Sequence, residues 1–549
     1  MTTVLYGLKD AWRRRASFWL RIAGLIAFST GASTFAAVAQ SLEATAQADV
    51  SEHWRGAYDL LVRPAYAQLE LEQQTGVVEG NYLAIPHGGI TIDQYRQIAA
   101  LVDVEAAAPV APVGYLPSDT GAIGLELPNP EPNTLYRIEV LTRMSDGLPD
   151  GVSRRDVAYL ASGGANWWVD LFHEGPLATD VIGTGSGGVY LNVAFLPPQW
   201  TLVAGIDPAQ EAALVGLDRM MTEGHYLEAE ERLSPTYDEE LRRPATAIPL
   251  IISHQSYLEI QLEMRVTALP LDDREAVRRL NRAQVEGTLQ PLLSELDRRM
   301  DGPEGTVVLD QVVEAGDILQ PLRGWPLTFR PGMPVGYDST GSGLLLDRDV
   351  MLYPAGSPQY SRIAAPRLWE NPLSLQILAL GTWGEAVRPI IDSFRPSGME
   401  PSFARNLPGV APEAPVFRPL TAYEPPPFVL SVWGVYDFAR LAPTQDPLTY
   451  VPLGIYEPPL AVLRYDESGQ PIEPRVITPD VNPAGFIPRP PLALTTLQGA
   501  EFLLGRSDFI SAIRIRVAGV EAYTADNLAK IERVAGDIAQ LTGLHVDMV

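Results

Sequence analysis

The stretch Ile510-Ser-Ala-Ile-Arg-Ile-Arg-Val517 alternates apolar and polar side chains, which predicts a strand with one buried face. Residues 519–523 predict a turn, and Thr524 is suited to cap a following helix. That helix is predicted from apolar residues at helical spacing: Leu528, Ile531, Val534, Ala535, Ile538 and Leu541. Gly543 is placed to end it, and residues 544–549 resume a strand. The C-terminal order is therefore strand, helix, strand.

The same order is predicted near the beginning of the chain. Residues 57–63 predict a strand, and Thr91 with Gln94 forms a capping box before a helix. The expected buried face of that helix consists of Ile92, Tyr95, Ala99 and Val102. Residues 104–113 predict the next strand. Two βαβ units at opposite ends predict a split ferredoxin-like module, formed by residues 41–115 and 510–549.

The segment between these units, residues 116–509, predicts a mainly β insertion. Short apolar runs are separated by glycine and proline, as is typical of strands and turns. Those runs are Leu135–Leu141, Val189–Phe195, Ile248–Ile252, Gly305–Leu309 and Phe428–Val435. One amphipathic pattern, residues 272–300, predicts a helical segment within the insertion. The expected fold class is α+β.

Composition excludes several classes of protein. The 549 residues include 41 basic and 67 acidic ones, for a formal charge of −26, and no cysteine. Without cysteine the chain has no disulfide framework, thiol nucleophile, iron–sulfur cluster or cysteine-bound zinc. The acidity argues against nucleic acid as a partner, because neutralising phosphates needs a clustered basic surface.

The N-terminus departs from this acidity. Residues 1–15 are a basic segment, predicted to be cytoplasmic, and residues 16–40 are apolar enough for a transmembrane helix. By the positive-inside rule the chain after Gln40 lies outside the cytoplasm, so the expected location is the cell membrane with most of the chain extracytoplasmic. A cleavable signal peptide is the alternative, since Ala37-Val-Ala39 fits a signal peptidase site. Both interpretations export the bulk of the chain.

The search for catalytic and cofactor motifs predicts no site on this chain. No P-loop surrounds Lys9 or Lys530, so no nucleotide site and no cofactor are predicted on this chain. Gly183–Gly188 matches Gly-x-Gly-x-x-Gly, but the residues after it predict a strand where the dinucleotide motif needs a helix. A hairpin is therefore expected there. No Gly-x-Ser-x-Gly elbow is present, and the expectation is a protein that is not an enzyme.

Isolated polar and aromatic residues also favour structural roles. His173 and Glu174, together with His225, form a candidate metal site, but a surface or core role is preferred because adjacent residues of a strand point to opposite faces. Trp167, Trp168 and Trp200 fit core packing better than a sugar or lipid groove. Residues 466–469 predict a hairpin tip, since the run is too short for a calcium loop. No catalytic, cofactor-binding or metal residue is predicted.

Several stretches resemble the extracytoplasmic domain of ABC transporter permeases of the MacB/FtsX type. They are Trp54–Pro64, Asp103–Val110, Val203–Leu214, Ile248–Ser253, Asp446–Leu448, Pro452–Pro459, Ile510–Val520 and Thr542–Asp547. The resemblance implies a permease half of a bacterial membrane, with a MacB-like periplasmic core domain that transmits ATP-driven motion outward. The implied cargo is a lipid, lipoprotein, peptide or drug. The implied partners are a cytoplasmic ABC ATPase, a second permease half and membrane lipid.

One departure separates this sequence from the family pattern. The family continues with at least three membrane helices after the extracytoplasmic domain, whereas no later apolar run of spanning length occurs here before Val549. The further helices are expected on another polypeptide or beyond the end of a truncated chain. The alternative function is an anchored or secreted binding module or hydrolase that acts without an ATPase.

Overall fold

A computed structural model describes residues 56–549 with interruptions. Those interruptions are residues 69–71, 74–77, 79–81, 85–87, 118–121, 129, 146, 148–151, 164–167, 175–180, 184–187, 196–198, 229–232, 239–241, 315–320, 323–326, 334–335, 338–350, 359, 363–374, 384, 386–414, 441–454, 467–468 and 523. The predicted basic segment 1–15 and membrane helix 16–40 lie outside the described residues. Within the described part, no helix has the length and apolar character needed to cross a membrane.

The described chain is mixed α+β and consists mostly of sheet. Its strands are β1 (Leu60–Arg63), β2 (Val104–Pro117), β3 (Ala122–Pro128), β4 (Thr134–Met144), β5 (Val152–Ser162), β6 (Trp168–Glu174), β7 (Val181–Gly183), β8 (Gly188–Phe195), β9 (Trp200–Ile206), β10 (Met221–Gly224), β11 (Ser234–Asp238), β12 (Arg243–Ser253), β13 (Ile260–Pro270), β14 (Thr306–Glu314), β15 (Leu327–Phe329), β16 (Gly336–Tyr337), β17 (Tyr360–Arg362), β18 (Leu375–Ile377), β19 (Gly381–Thr382), β20 (Pro415–Val416), β21 (Phe428–Tyr436), β22 (Ala461–Tyr465), β23 (Pro471–Ile477), β24 (Ala493–Thr496), β25 (Ala512–Val517) and β26 (His545–Met548). Its α-helices are α1 (Ile92–Ala99), α2 (Pro208–Val215), α3 (Arg274–Val285), α4 (Leu289–Met300), α5 (Leu497–Leu504) and α6 (Ala525–Thr542).

A ten-stranded central sheet joins the two ends of the described chain. Its order is β10-β21-β12-β24-β9-β2-β25-β1-β26, and β11 pairs with β12. Strand β1 lies between β25 and β26 and is antiparallel to both, with Leu61 opposite Arg514 on one side and Asp547 on the other. Strand β25 is also antiparallel to β2. Four strands from opposite ends of the sequence therefore form one continuous antiparallel group.

Along these strands, successive side chains point to opposite faces of the central sheet. Leu60 and Val62 lie in an apolar cluster together with residues of α1, α5 and α6. Leu61 points to the opposite face and belongs to a second cluster that includes Leu214 of α2. Each face thus has its own core, and helices cover both.

The capping residues predicted for the helices at the two ends are confirmed, but half of the predicted buried face of α1 is exposed. Thr91 and Gln94 form the capping box of α1, and the Thr524 side chain accepts from the backbone N–H of Asn527 at the start of α6. Gly543 ends α6 in the left-handed conformation, with φ of 69°. The prediction that Ala99 and Val102 lie on the buried face of α1 is wrong, because Ala99 is exposed and Ile98 is buried instead. The helix ends at Ala99, and Val102 is 95% exposed in the loop beyond it.

Two five-stranded sheets form a sandwich beside the central sheet. One has the order β14-β13-β4-β5-β6 and the other β16-β15-β3-β8-β7. Their facing side chains share one apolar cluster, to which β4 contributes Tyr136 and β3 contributes Ile123. On β4, the neighbouring Leu135 points the other way and packs with residues of α3 and α4. The sandwich is therefore covered by helices on its outer face.

The helical segment predicted over residues 272–300 is two helices instead of one. It breaks between α3 and α4, where Gly287 has a φ of 71°. Two apolar residues of the segment are exposed, Val285 at 83% and Leu292 at 38%. Val285 closes α3, and the chain turns there before Leu289 begins a new buried face.

The two predicted hairpins are confirmed. Strand β7, which ends at Gly183, pairs antiparallel with β8, which begins at Gly188, so a strand follows the glycine-rich stretch. Strands β22 and β23 form a separate two-stranded sheet. At its tip the Asp466 side chain accepts from the backbone N–H of Gln470, as in a turn.

Candidate functional site: buried ion pairs on the central sheet

The residues singled out in the sequence do not converge on one site. His225 lies against Trp433, with ring centroids 4.9 Å apart, and its Nδ1 lies 3.1 Å from the Tyr226 carbonyl oxygen. His173 falls in β6. Trp200 is buried in the sandwich core, where it makes edge-on contacts with Tyr353 and Trp383. Among the described residues, no group of three or more histidine, aspartate and glutamate side chains is placed to hold a metal.

The site with the most unusual chemistry is a buried ion pair between β25 and α2. Ile513 and Ile515 of β25 point into the core shared with α1 and α6, so the side chain of Arg514 between them points to the opposite face. That face is covered by α2, which begins at the N-cap Asp207 and ends at Gly216 in the left-handed conformation. Strand alternation therefore directs a guanidinium beneath a helix.

Glu211 of α2 receives this guanidinium. Arg514 Nη2 donates to Glu211 Oε2 over 2.5 Å, and both residues are buried. The Tyr456 hydroxyl donates to the other carboxylate oxygen, Glu211 Oε1. Because Glu211 lies in the first turn of α2, the positive end of the helix dipole also stabilises its charge. Both oxygens of one buried carboxylate are thus satisfied.

The electrostatics of the pair follow from its burial. Burial by itself lowers the pKa of Arg514, but the neighbouring Glu211 and Tyr456 outweigh it and the pKa lies above its usual value. Burial raises the pKa of Tyr456 well above its ordinary range, and Glu211 raises it further. Arg514 is therefore a cation and Tyr456 a neutral hydrogen-bond donor throughout the physiological range.

A second buried arginine lies at the edge formed by β1 and β26. Arg63 Nη1 donates to both carboxylate oxygens of Glu72, over 2.9 and 2.8 Å, and Nε donates to Asp547 Oδ2 over 2.8 Å. His545 Nε2 lies 2.7 Å from Asp547 Oδ1. The guanidinium also lies over the ring of Tyr82, with Cζ 4.8 Å from the ring centroid. One side chain thereby ties β1 to β26 and to the segment after β1.

The buried arginine–carboxylate pairs hold strands and helices in place. Glu72, Glu211 and Asp547 are each bound to an arginine, and the paired groups on α2 and β25 are enclosed in the core. Each pair fixes the distance and the relative orientation of the two elements that it joins, because an arginine–carboxylate pair is far more directional than apolar contact. Glu211, Arg514, Arg63, and Asp547 were not predicted as site residues from the sequence. The arginines at alternating positions in Ile513–Val517 were the only local signal.

The whole chain gives no match to a protein-family model, to a curated protein or to a solved structure.

Proposed function

We propose that this chain is a permease component of a MacB/FtsX-type ABC transporter and that its extracytoplasmic domain transmits ATP-driven motion to cargo. The proposal rests on the sequence resemblance and on the way the described strands are connected. ATP is held by a separate cytoplasmic ATPase, and a second permease half completes the membrane part. The cargo class is lipid, lipoprotein, peptide or drug.

The strand connections support a split ferredoxin-like module. In that module, two βαβ units interleave so that an antiparallel sheet has the spatial order 4-1-3-2. Counting β1, β2, β25 and β26 as strands one to four gives the observed order β26-β1-β25-β2 with all pairs antiparallel. The helices α1 and α6 are the crossovers of the two units, and they lie in contact. The central sheet extends beyond this group, through β9 and further strands.

The observation that carries the proposal is the position of β1. It follows the predicted membrane segment and lies between β25 and β26, which end the chain. A displacement of the N-terminal segment therefore moves β1, which is hydrogen-bonded to a neighbouring strand on each side. The buried pairs Arg63–Glu72 and Arg514–Glu211 make this part of the sheet resist shear. Stiffness at the point of entry is what a motion-transmitting domain requires.

The absence of cysteine allows a direct test with spin labels. Cysteines replace Val102, exposed beside α1, and Val285, exposed on the sandwich side, in the full chain reconstituted with its ATPase. We expect the distance between the two labels to change with ATP and to stay constant with an ATPase variant that binds but does not hydrolyse ATP. A control pair at Val102 and Leu541, within the central-sheet body, should keep its distance throughout.

Two results contradict the proposal. One is failure of the full chain to copurify with any ABC ATPase under conditions that preserve the membrane complex. The other is a purified chain that hydrolyses glycan or peptide unaided, which supports the anchored hydrolase instead.

A further inference from the structure

Two deeply buried arginines lie where the central sheet meets the sandwich. Arg418 follows β20 and is 1% exposed, and Arg489 precedes β24 and is 3% exposed. Strands β2 and β9 reach this junction, because Tyr115 and Trp200 at their ends belong to the sandwich core. Burying a guanidinium is costly unless its charge and its N–H groups are compensated.

Both arginines bind backbone carbonyls rather than carboxylates. Arg418 donates from Nε to the Gly485 oxygen over 3.0 Å and from Nη2 to the Phe486 oxygen over 2.8 Å. Arg489 donates from Nη2 to the Trp200 oxygen over 2.6 Å and from Nη1 to the Ser256 oxygen over 3.4 Å. Carbonyl oxygens satisfy N–H groups but do not neutralise the positive charges of the two guanidinium groups.

Three buried donors in this region have no hydrogen-bond partner within the described part of the chain. They are Arg418 Nη1, the Tyr115 hydroxyl and Trp200 Nε1. Both Arg418 and Arg489 lower the pKa of Tyr115 electrostatically, so its side chain lies within the electrostatic range of both guanidinium groups. Trp200 lies two positions before Leu202, the partner of Tyr115 across β2 and β9, so both rings lie on the same face of the sheet. The orphan donors therefore share one junction.

The charges at this junction do not balance. Within the described part of the chain, Asp480 is the carboxylate that acts on both Arg489 and Tyr115, so two cations face one anion. Burial lowers the pKa of Arg489 to about 10, opposed by Tyr115 and Asp480, which leaves it protonated at neutral pH. Burial raises the pKa of Tyr115, although both arginines oppose the shift, so its hydroxyl remains a donor. One positive charge and three donors are left over.

We propose that Arg418 Nη1, the Tyr115 hydroxyl and Trp200 Nε1 bind a small inorganic anion such as chloride between the central sheet and the sandwich. All three groups only need an acceptor, and a halide accepts from several donors at once. An anion also neutralises the surplus charge, which a water molecule does not. The edge-on contacts of Trp200 with Tyr353 and Trp383 provide an apolar surround that excludes solvent and strengthens the interaction.

The test is thermal unfolding of the full chain in chloride, with gluconate replacing chloride so that ionic strength stays constant. We expect the melting temperature to rise with chloride and to level off, because a ligand that binds only the folded state stabilises it by mass action. Tyr115→Phe removes one donor and keeps the packed ring. It should raise the chloride concentration for half-maximal effect at least about tenfold, the equivalent of about 1.4 kcal/mol.

The matched control is Tyr237→Phe, which removes a hydroxyl from a largely exposed side chain on β11 and should leave the chloride dependence unchanged. Arg418→Gln, if it folds, should abolish the dependence. A crystal grown in bromide should show anomalous scattering within hydrogen-bond distance of Arg418 Nη1.

Three results overturn the proposal. The first is equal stabilisation by chloride and gluconate. The second is a Tyr115→Phe variant more stable than the parent at every chloride concentration, the outcome for deletion of an unbound buried hydroxyl. The third is water, with no bromide signal, beside Arg418 in the crystal. None of these measurements involves the ATPase, so their failure leaves the proposed transport function untouched.

Discussion

Removing the charge of Glu211 should destabilise the central sheet far more than removing a carboxylate of similar geometry at the surface. In Glu211→Gln the Arg514 guanidinium stays buried without a counter-charge, and breaking one partner of a buried pair costs about 3–5 kcal/mol. The comparison pair is Arg265 with Asp310, whose N–O distance is 2.8 Å but whose side chains are about half exposed. Exposed pairs contribute about 0–1 kcal/mol, so Asp310→Asn should be nearly neutral.

A double-mutant cycle isolates the interaction from the cost of the single changes. Arg514→Met removes the orphaned charge, so the variant with both Glu211→Gln and Arg514→Met should be less destabilised than the sum of the two single variants. The surface cycle, with Asp310→Asn and Arg265→Met, should show a coupling energy near zero. Burial, rather than the distance between the atoms, decides the difference.

Native-state hydrogen exchange is the suitable assay, because a chain with several cores need not unfold in one step. Exchange of the backbone amides in residues 510–517 reports the opening free energy of β25 directly. The expected result is a large loss of protection there in Glu211→Gln and little change in Asp310→Asn. Equal protection in the two single variants, or strictly additive effects in the Glu211–Arg514 cycle, would refute the reasoning.

Two further predictions concern close packing and a buried carboxylate. Gly205→Ala should destabilise the protein by about 1–3 kcal/mol, because its added Cβ would lie 2.4 Å from Ala500 Cβ on α5. Gly536→Ala on α6, where nothing lies within 4 Å of the added Cβ, should stabilise it by about 0.5–1 kcal/mol. Thermal unfolding of both variants checks this prediction, and a Gly205→Ala variant as stable as the parent contradicts it. Burial raises the pKa of Asp156 despite the opposing Arg154, so its contribution to stability is present below the pKa of the unfolded aspartate and is lost as the pH rises through the folded value. Asp156→Asn should therefore be more stable than the parent at pH 7 and should lose that advantage in acid, as denaturant unfolding at several pH values would measure; an advantage that persists in acid excludes the charge as its cause.

Local signals in the sequence predicted the local structure at both ends of the chain. The capping box of Thr91 and Gln94 and the terminating Gly543 each need only a few neighbouring residues, and the structure has all three in the expected roles. Periodicity failed where it was extended past a helix end. Val102 continues the spacing of the buried face of α1, but the helix stops at Ala99, so the residue emerges into solvent.

The buried ion pairs could not be predicted by the same means. Glu211 and Arg514 are 303 residues apart, and Arg63 and Asp547 are 484 apart. A charge in a strand predicts a solvent-facing position, and that expectation assumes that the opposite face of the sheet is open. Here α2 covers it, so Arg514 is enclosed and depends on a carboxylate that only the tertiary fold supplies.

The Arg514–Glu211 pair also has a role that its contribution to stability does not describe. The strand Ala512–Val517 is apolar on one face and carries arginines on the other, and a slip of one residue would exchange the two faces. Such a slip would press Arg514 into the core beneath α1 and α6, away from Glu211. We therefore expect the pair to specify the register of β25 against β1 and β2.

A variant with both Glu211→Leu and Arg514→Leu tests this role. Replacing a buried pair by apolar residues is often neutral or stabilising, so its free energy of unfolding should match or exceed that of the parent. With Arg514 replaced, Arg516 is the one charged residue left in β25, so pairing in a second register costs less, and the exchange pattern of residues 510–517 should split into two populations. A single population with the protection of the parent would show that the apolar cores, Arg516 and the turn at Gly519 set the register without the Arg514–Glu211 pair.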